Sequence, residues 1–342
     1  MTQAAPPELL ELQRIIDAGA GYLDTRIVGE VPWPGGALPI YAIALGATGT
    51  EVPAVGFFGG VHGLERIGTE VVLAYLDSLV TRLQWDEVLH RQLQTVRLVF
   101  MPLVNPGGMA LGTRANPAGV DLMRNAPITS KESVPFLVGG QRISAALPWF
   151  RGWPQDGMQP ENLAVCAVVE KELLCRNFSI ALDCHSGFGI TDRIWFPYAH
   201  TAHPLPHLAE IHALKDIFER THVHHTYAFE PQSRHYLAHG DLWDYLYLRA
   251  GAQHPGHTFL PLTLEMGSWA WVRKNPRQLF SRHGIFNPLV QHRQQRVLRR
   301  HMPLLDFITR AVSGYARWLP SGAARLGQRD AALALWYASA LP

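Results

Sequence analysis

Two separate segments of the chain carry side chains of the kind that bind a divalent metal ion. His62 and Glu65 lie three residues apart, after an apolar run that ends in two glycines, and His185 follows another apolar run. A catalytic zinc ion takes three protein ligands of this type and keeps a fourth position for water, so the three residues can form one such site. The pair His62 and Glu65 alone is weak support, because the same spacing commonly marks a solvated helix start.

Glu265 is a candidate of a second kind, since it ends the apolar run 259–264. A carboxylate at the edge of a hydrophobic core is costly to bury, and a residue in such a place often has a chemical task. The alternative is a solvated glutamate at the end of a strand. The sequence therefore marks Glu265 as a candidate functional residue.

The candidate residues belong to a chain in which strand and helix patterns alternate. Such alternation predicts an α/β fold with helices on both faces of a central sheet. Because loops at strand ends converge over the edge of such a sheet, we expect His62 and His185 to lie there. The predicted strands are 38–45, 52–59, 96–104, 178–184, 194–198 and 257–264, and the clearest helices are 65–82, 162–176 and 204–220.

One segment, 105–160, interrupts the alternation because it is rich in Gly, Pro and Asn. A loop of this length within a compact domain is usually functional. After residue 287 the chain has a helical pattern. We therefore predict a catalytic domain at 1–290 and a helical C-terminal extension at 291–342 that packs on it.

The composition and net charge limit the kinds of binding partner that can be expected. The 342 residues are 47% hydrophobic, and 30 Lys and Arg stand against 28 Asp and Glu. A formal net charge of +2 gives no long-range reason to expect a nucleic acid or an anionic membrane as partner. No apolar run approaches the roughly 20 residues that cross a bilayer, and the first residues lack a signal-peptide pattern. We therefore expect a cytoplasmic location, while the oligomeric state stays open.

Further motifs, in their order, resemble those of the zinc metallocarboxypeptidase family. In that family His-x-x-Glu is followed by Asn-Pro-x-Gly, an arginine, Gly-Val-Asp-x-Asn-Arg-Asn, His-Ser, a tyrosine with a later glycine and aspartate, and Thr-x-Glu. The corresponding positions here are 105–108, Arg114, 119–125, His185 and Ser186, Tyr236, Gly240 and Asp244, and 263–265. The resemblance implies a mixed central sheet with helices on both faces and a zinc-dependent carboxypeptidase activity.

The resemblance also implies roles for the residues near the metal. His62, Glu65 and His185 would bind one zinc ion. Glu265 would be the general base that takes a proton from water and delivers it to the leaving amine. Asp121 matches a family aspartate that accepts a hydrogen bond from the first histidine ligand and fixes its orientation.

Two arginines correspond to residues that contact substrate in the family. Arg114 matches the arginine that stabilises the developing oxyanion, and Arg124 matches the arginine that grips the terminal carboxylate. Met123 stands where the family has an asparagine as partner of this second arginine, and a thioether cannot donate that hydrogen bond. Either Asn116 or Asn125 then helps to bind the terminus, or the substrate is not an ordinary peptide with a free C-terminal residue.

Two aromatic residues complete the correspondence. Tyr236 matches the mobile tyrosine that closes over bound substrate, with an aromatic residue packed on the core as the alternative. Trp243 falls where many family members place the residue at the base of the side-chain pocket. An indole at that position would argue against a basic side chain in the substrate.

Three other functions compete with a carboxypeptidase. One branch, similar to aspartoacylases and succinylglutamate desuccinylases, removes acyl groups from amino acids, but the pattern from Tyr236 to Asp244 speaks against it. A murein peptide amidase stays open. A catalytically silent zinc-binding adaptor has Met123 as its one hint, whereas Glu265 speaks against it. The expected partner is a small peptide or an acylated amino acid.

Two further clusters have less specific patterns. Most of the 17 histidines lie within 200–257, and His203 and His207 have helical i, i+4 spacing. These two suggest either a second metal site or a polar helix face, and without an adjacent carboxylate motif we favour the polar face. The basic run 293–300 similarly suggests an RNA-binding patch or, more commonly, a solvated helix face.

Overall fold

The strands of this chain form one mixed sheet. The computed structural model describes residues 4–187, 189–225, 227–281 and 283–338. The strands are β1 (Asp24–Trp33), β2 (Gly36–Gly46), β3 (Ala54–Gly59), β4 (Arg97–Met101), β5 (Phe178–Gly187), β6 (Arg193–Phe196), β7 (Ala228–Pro231) and β8 (Thr258–Gly267). Their order across the sheet is β1-β2-β4-β3-β5-β8-β6-β7. The central strands β4, β3, β5 and β8 are parallel, whereas β1, β2 and β4 pair antiparallel, as do β6 and β8.

Helices cover the sheet and connect its strands. They are α1 (Pro7–Ala18), α2 (Arg66–Arg82), α3 (Glu87–Leu93), α4 (Pro106–Leu111), α5 (Pro160–Val169), α6 (Leu208–Thr221), α7 (Leu242–Gln253), α8 (Trp269–Lys274), α9 (Gln291–Ser313) and α10 (Gly322–Trp336). Helix α5 continues into a π-helical turn at Glu170–Leu174. Within the described residues, no helix combines the length and the apolar character that crossing a membrane requires.

The two faces of the sheet can be told apart at strand β3. Successive residues of a strand point to opposite faces. Phe57 packs edge-on against Tyr75 of α2, and the next residue, Phe58, packs edge-on against Trp243 of α7. Helices α2 and α7 therefore lie on opposite faces, which confirms the predicted α/β sheet with helices on both sides.

All six predicted strands are present, although two further strands, β1 and β7, were not predicted. Most residues of β1 are half-buried or exposed, so this edge strand has no continuous apolar run to reveal it. Strand β7 has only four residues. The predicted helix 204–220 begins later, at Leu208. Segment 105–160 is mostly irregular, as expected, with α4 and short 3-10 turns at Leu122–Arg124 and Pro154–Asp156 as its elements.

The C-terminal helices share the core of the sheet. Leu304, Leu305 and Ile308 of α9 belong to the same cluster of buried apolar side chains as the central strands. The Trp336 indole of α10 packs edge-on against Phe196 of β6. The segment 291–342 therefore packs on the sheet as far as the structure describes it, and its treatment as a separate unit stays a prediction.

Candidate active site

The ends of two parallel strands bring the predicted metal ligands together. His62 and Glu65 lie in the short loop between β3 and α2, and His185 lies near the end of β5. Strands β3 and β5 are hydrogen-bonded neighbours, so their carboxyl ends meet at one edge of the sheet. A long-range contact between residues 62 and 185 thus follows from the pairing of two strands.

The three ligand side chains converge on one point. The Nδ1 atoms of His62 and His185 are 3.2 Å apart. The carboxylate oxygens of Glu65 lie 3.0 Å from His62 Nδ1 and 3.1 Å from His185 Nδ1. Zinc–nitrogen bonds of about 2.0–2.1 Å at a tetrahedral angle put two ligand nitrogens about 3.3–3.4 Å apart. The donor set and its spacing therefore fit a zinc ion, and within the described residues no other group of three or more His, Cys, Asp or Glu side chains has this arrangement.

Each of the two histidines contacts a buried carboxylate through its Nε2 atom. His62 Nε2 is 3.2 Å from Asp121 Oδ1, and His185 Nε2 is 2.7 Å from Asp183 Oδ2. A carboxylate at Nε2 draws the imidazole proton there and leaves the Nδ1 lone pair for a metal. Without a cation, two such lone pairs would face each other. The outer hydrogen bonds thus agree with the ligand spacing.

The charges of this cluster favour a cation at its centre. Burial lowers the pKa of His185, but Asp183 and Glu65 outweigh it and hold that pKa well above its ordinary value. Burial also acts to raise the pKa of Glu65, whereas the two histidines hold it below its ordinary value. The pocket therefore stabilises positive charge next to an ionised carboxylate, as a metal site does.

The ligand loop is fixed from two sides. Asn105 donates through Nδ2 to the Val61 carbonyl, and Asn287 donates to the Leu64 carbonyl. A Cβ atom on Gly63 would lie 2.0 Å from the backbone of Gly108, so the loop and helix α4 can approach only because glycine is present. The Asn-Pro-Gly-Gly motif thus acts as a support for the ligand loop.

Glu265 lies beside the ligands on the neighbouring strand. Residue for residue, β8 pairs with β5 in parallel register, and Glu265 is the partner of His185. Burial is the largest influence on the pKa of Glu265 and raises it, and the nearby charge of Glu65 also raises it. His185 acts in the opposite direction, and the resulting pKa is about 7. A carboxylate poised near neutrality next to a metal site is suited to proton transfer.

Arg114 connects the ligands to Asp121. Its Nε donates to Asp121 Oδ2 at 2.8 Å, and its Nη1 donates to Glu65 Oε1 at 3.1 Å. A quarter of its side chain remains exposed, at the wall of the cavity above the ligands. Its position leaves a permanently charged group within the space where substrate would lie.

A cavity of about 520 Å³ opens over the metal ligands. Several of its walls are aromatic, and Trp149, which lines it, has a left-handed backbone with φ of 60°, unusual for a bulky side chain. Tyr236 also lines the cavity, and its closure over a bound substrate stays a prediction. The lining residues are Glu65, Arg114, Val138, Trp149, Ser186, Gly187, Gly189, Arg193, Trp195, His235, Tyr236, Glu265 and Phe286.

Arg124 is placed differently from the sequence-based expectation. Only 2% of this residue is exposed, and it is not among the described residues that line the cavity. Its guanidinium donates to the Val138 and Met123 carbonyls, and its Nη2 lies 3.3 Å from the Tyr236 hydroxyl. The donors of Arg124 thus have partners within the protein, and its expected role of gripping the substrate stays a prediction.

Neither Asn116 nor Asn125 lines the cavity, and a part for either residue in substrate binding stays a prediction. Asn116 accepts from the backbone N–H of Val120 and donates to Glu161. Asn125 donates to the Arg151 carbonyl and accepts from the Gln159 N–H. Both side chains are buried and hold the irregular segment that follows α4. Their amides are engaged in loop structure.

Trp243 lies beneath the site and not in the cavity wall. The indole is buried on Phe58, and its Nε1 donates to Asp183 Oδ2 at 2.8 Å. Trp243 thus contacts the carboxylate that in turn contacts His185, and its assignment to the base of a side-chain pocket stays a prediction. The sequence did carry a signal for Asp183, because a charged residue within an apolar strand requires the same explanation as Glu265.

The histidine-rich region has no metal cluster among its described residues. His207 precedes α6, and its Nδ1 lies 2.8 Å from the Tyr247 hydroxyl. His200 Nδ1 contacts Asp244. These histidines make local polar contacts, but His203 and His207 both precede α6, so the polar helix face predicted for this pair is wrong.

Comparison with known proteins gives the class of this fold and site. The family model described as zinc carboxypeptidase matches residues 37–270. The chain therefore belongs to the zinc carboxypeptidase family. Carboxypeptidase SOL1 of Arabidopsis thaliana is 30% identical over 92 residues, a match that spans 26% of this chain and only 19% of that protein.

Solved structures show the same fold at low sequence identity. Thrombin activatable fibrinolysis inhibitor superimposes with a TM-score of 0.66 at 17% identity, over 89% of this chain and 72% of the other. Carboxypeptidase A from Helicoverpa armigera gives a TM-score of 0.66 at 15% identity, over 90% and 72% of the two chains. The bovine form of the inhibitor, in complex with a tick carboxypeptidase inhibitor, gives 0.64 at 17% identity, over 90% and 97%.

Proposed function

We propose that this protein is a zinc-dependent carboxypeptidase that hydrolyses the C-terminal amide bond of a small peptide, next to its free carboxylate. One observation carries the proposal. Glu265, whose pKa is raised to about 7, is the direct cross-strand partner of the ligand His185 and lines the same cavity as Glu65 and Arg114.

The protein groups divide the chemistry among them. His62, Glu65 and His185 would hold a zinc ion, which would supply Lewis-acid chemistry for the carbonyl group and for water. Glu265 accepts a proton from the attacking water and passes it to the leaving nitrogen. Arg114 donates hydrogen bonds to the carbonyl oxygen as negative charge develops on it.

Supporting contacts keep these groups in place. Asp121 and Asp183 orient the two imidazoles, and Trp243 fixes Asp183 in turn. Aromatic walls, including Trp149 and Trp195, reduce the access of water and strengthen charge interactions in the cavity. Retention of a base beside the metal ligands favours an enzyme over a silent adaptor.

The proposal is tested with purified, zinc-loaded protein and a panel of N-acyl dipeptides, acylated amino acids and muramyl peptides. We expect hydrolysis of the N-acyl dipeptides that a chelator abolishes and added zinc restores. Turnover of acylated amino acids alone would identify the amidoacylase alternative, and turnover of muramyl peptides alone would identify the amidase. Chelator-insensitive or undetectable hydrolysis across the panel would contradict the proposal.

A further inference from the structure

A second cavity, of about 360 Å³, lies between helices α8 and α9, and none of its described lining residues lines the active-site cavity. Its volume falls within the usual range of small-molecule sites. The described side chains that line it include four cations and no carboxylate. The cations are Lys274 of α8 and Arg293, Arg296 and Arg300 of α9. The basic run 293–300 therefore lines a concave pocket and is more than a solvated helix face.

The spacing of the three arginines explains why they face the same pocket. Arg293, Arg296 and Arg300 follow each other at intervals of three and four residues, and side chains at these intervals lie on one face of an α-helix. Val297, on the same side of α9, is buried in the apolar core of the protein. The core contact of Val297 thus fixes the rotation of α9 that directs the arginines towards α8.

Three of the four cations form no ion pair with any described residue: Lys274, Arg293 and Arg296. Arg293 makes one long hydrogen bond, from Nη2 to the Lys274 carbonyl at 3.5 Å, and its buried Nη1 has no acceptor in the described part of the chain. Arg300 pairs with Asp192, with Nε 3.0 Å from Oδ2. Four cations and one carboxylate leave a local surplus of three positive charges, in a chain whose formal net charge is only +2.

This surplus of positive charge favours an anion in the pocket. Side chains three or four residues apart on a helix have Cβ atoms about 5–6 Å apart, so the arginines of α9 repel each other. A concave wall with one sign of charge focuses the electric field and raises the local concentration of ions of the opposite sign. Guanidinium groups also match the geometry of phosphate oxygens, because they can donate two parallel hydrogen bonds.

We propose that the pocket between α8 and α9 binds a small phosphorylated ligand of the nucleoside diphosphate class. Two phosphate groups carry about three negative charges near neutral pH, which matches the surplus of the pocket. Trp271 of α8 is half-buried and lines the same pocket, so it supplies an aromatic surface beside the arginines. Nucleobases stack on such surfaces. The proposal does not depend on the proposed function, because it concerns a different cavity.

Calorimetry on the zinc-loaded full chain, with ADP, pyrophosphate and adenosine as probes, tests the proposal. We expect saturable binding of ADP, weaker binding of pyrophosphate and no binding of adenosine alone. Arg293→Gln and Arg296→Gln should each raise the Kd for ADP by roughly 10-fold or more, since each removes a charged hydrogen bond. Trp271→Leu should raise the Kd for ADP by roughly 5-fold or more and leave pyrophosphate nearly unchanged.

Arg300 is left unchanged in this test because its partner also supports the active-site strand. Asp192 accepts from the backbone N–H of Gly267 at 2.9 Å, and Gly267 lies two residues after Glu265. A substitution of Arg300 would therefore disturb the proposed catalytic base as well as the pocket.

Arg299→Gln is the matched control, because Arg299 is an exposed arginine of the same helix and is not among the described residues of the pocket wall. This variant removes the same charge and should leave the Kd for ADP nearly unchanged. Thermal unfolding verifies that each variant is folded. Equal weakening in Arg299→Gln and Arg296→Gln would show that ADP is attracted only by diffuse surface charge, and this result would overturn the proposal.

The candidate metal site requires its own control, because phosphate oxygens also bind metal ions. His185→Ala and chelator-treated wild type should both bind ADP as zinc-loaded wild type does. Loss of ADP binding in both, with retention in Arg293→Gln and Arg296→Gln, would assign ADP to the metal site and contradict the proposal. Wild type that binds no ADP, or that binds a single-stranded RNA oligonucleotide but no ADP, would contradict it as well.

Discussion

His185 of β5 and Glu265 of β8 are direct partners in a parallel strand pair, and their side chains leave the same face of the sheet. The His185 imidazole contacts the Asp183 carboxylate through Nε2 and the Glu65 carboxylate through Nδ1. Among the described residues none forms an ion pair with the Glu265 carboxylate, which lines the cavity. Strand pairing alone therefore sets the candidate metal ligand and the proposed proton acceptor side by side.

Replacement of Glu265 separates metal binding from catalysis. Glu265→Gln should keep stoichiometric zinc and lower kcat by about 10²- to 10⁴-fold, since an amide cannot accept the proton. His185→Ala should lose both zinc and activity. Metal analysis and steady-state kinetics provide the two measurements.

Glu219→Gln is the control for this pair, because Glu219 lies on the surface of α6 and pairs with Lys215. Zinc loss of the same size in Glu265→Gln and His185→Ala would show that Glu265 is a ligand and not a base.

The pH dependence of kcat/KM should have an acid limb. Glu265, with a pKa raised to about 7 by burial, acts as a base only when it is deprotonated. A bound cation favours the ionised form and lowers this pKa. Activity should therefore fall as the pH decreases, with a midpoint below about 7, measured at constant zinc occupancy. A profile with no acid limb would contradict the assigned role.

Asp183 should contribute to metal affinity without touching the metal. Asp183→Asn weakens the hydrogen bond that orients His185, and outer-sphere changes of this type lower zinc affinity by about 10- to 100-fold. Competition with a chromogenic chelator measures the affinity. Trp243→Phe, which removes one donor to Asp183, should have a smaller effect in the same direction. An unchanged zinc affinity in Asp183→Asn would show that the hydrogen bond between Asp183 and His185 does not contribute to metal binding.

His301 should make the fold sensitive to acid. Burial lowers the pKa of His301 to about 4, and its Nδ1 lies 2.9 Å from the Tyr227 hydroxyl. A histidine with a folded pKa below its unfolded value of about 6.5 contributes stability above that pH, and this contribution is lost as the pH falls towards 4. The free energy of unfolding should decrease over this window by up to about 3 kcal/mol.

Denaturant titrations at several pH values measure this decrease. His301→Gln removes the titration and should flatten the dependence, while His292→Gln, at an exposed position of the same helix, should retain it. Equal pH dependence in wild type and His301→Gln would show that other groups cause the acid sensitivity.

The sequence by itself determined the parts of this protein that depend on local pattern. His62 and Glu65 share a short loop after one apolar strand, and His185 and Glu265 lie near the ends of two others. Apolar runs and motif spacing are local properties, so they predicted the central strands, the ligand set and the family. Edge strands such as β1 were not predicted, because their residues are only partly buried.

Only the tertiary structure decided what surrounds those residues. The placement of Arg193 beside Glu265 depends on the strand order β5-β8-β6, which no segment of the sequence encodes alone. Arg124 is buried against the Val138 carbonyl, 14 residues further along the chain, and against Tyr236, 112 residues further along. Side-chain access is set by neighbours that are distant in the chain, and for this reason the candidate metal ligands were predictable while the lining of the cavity was not.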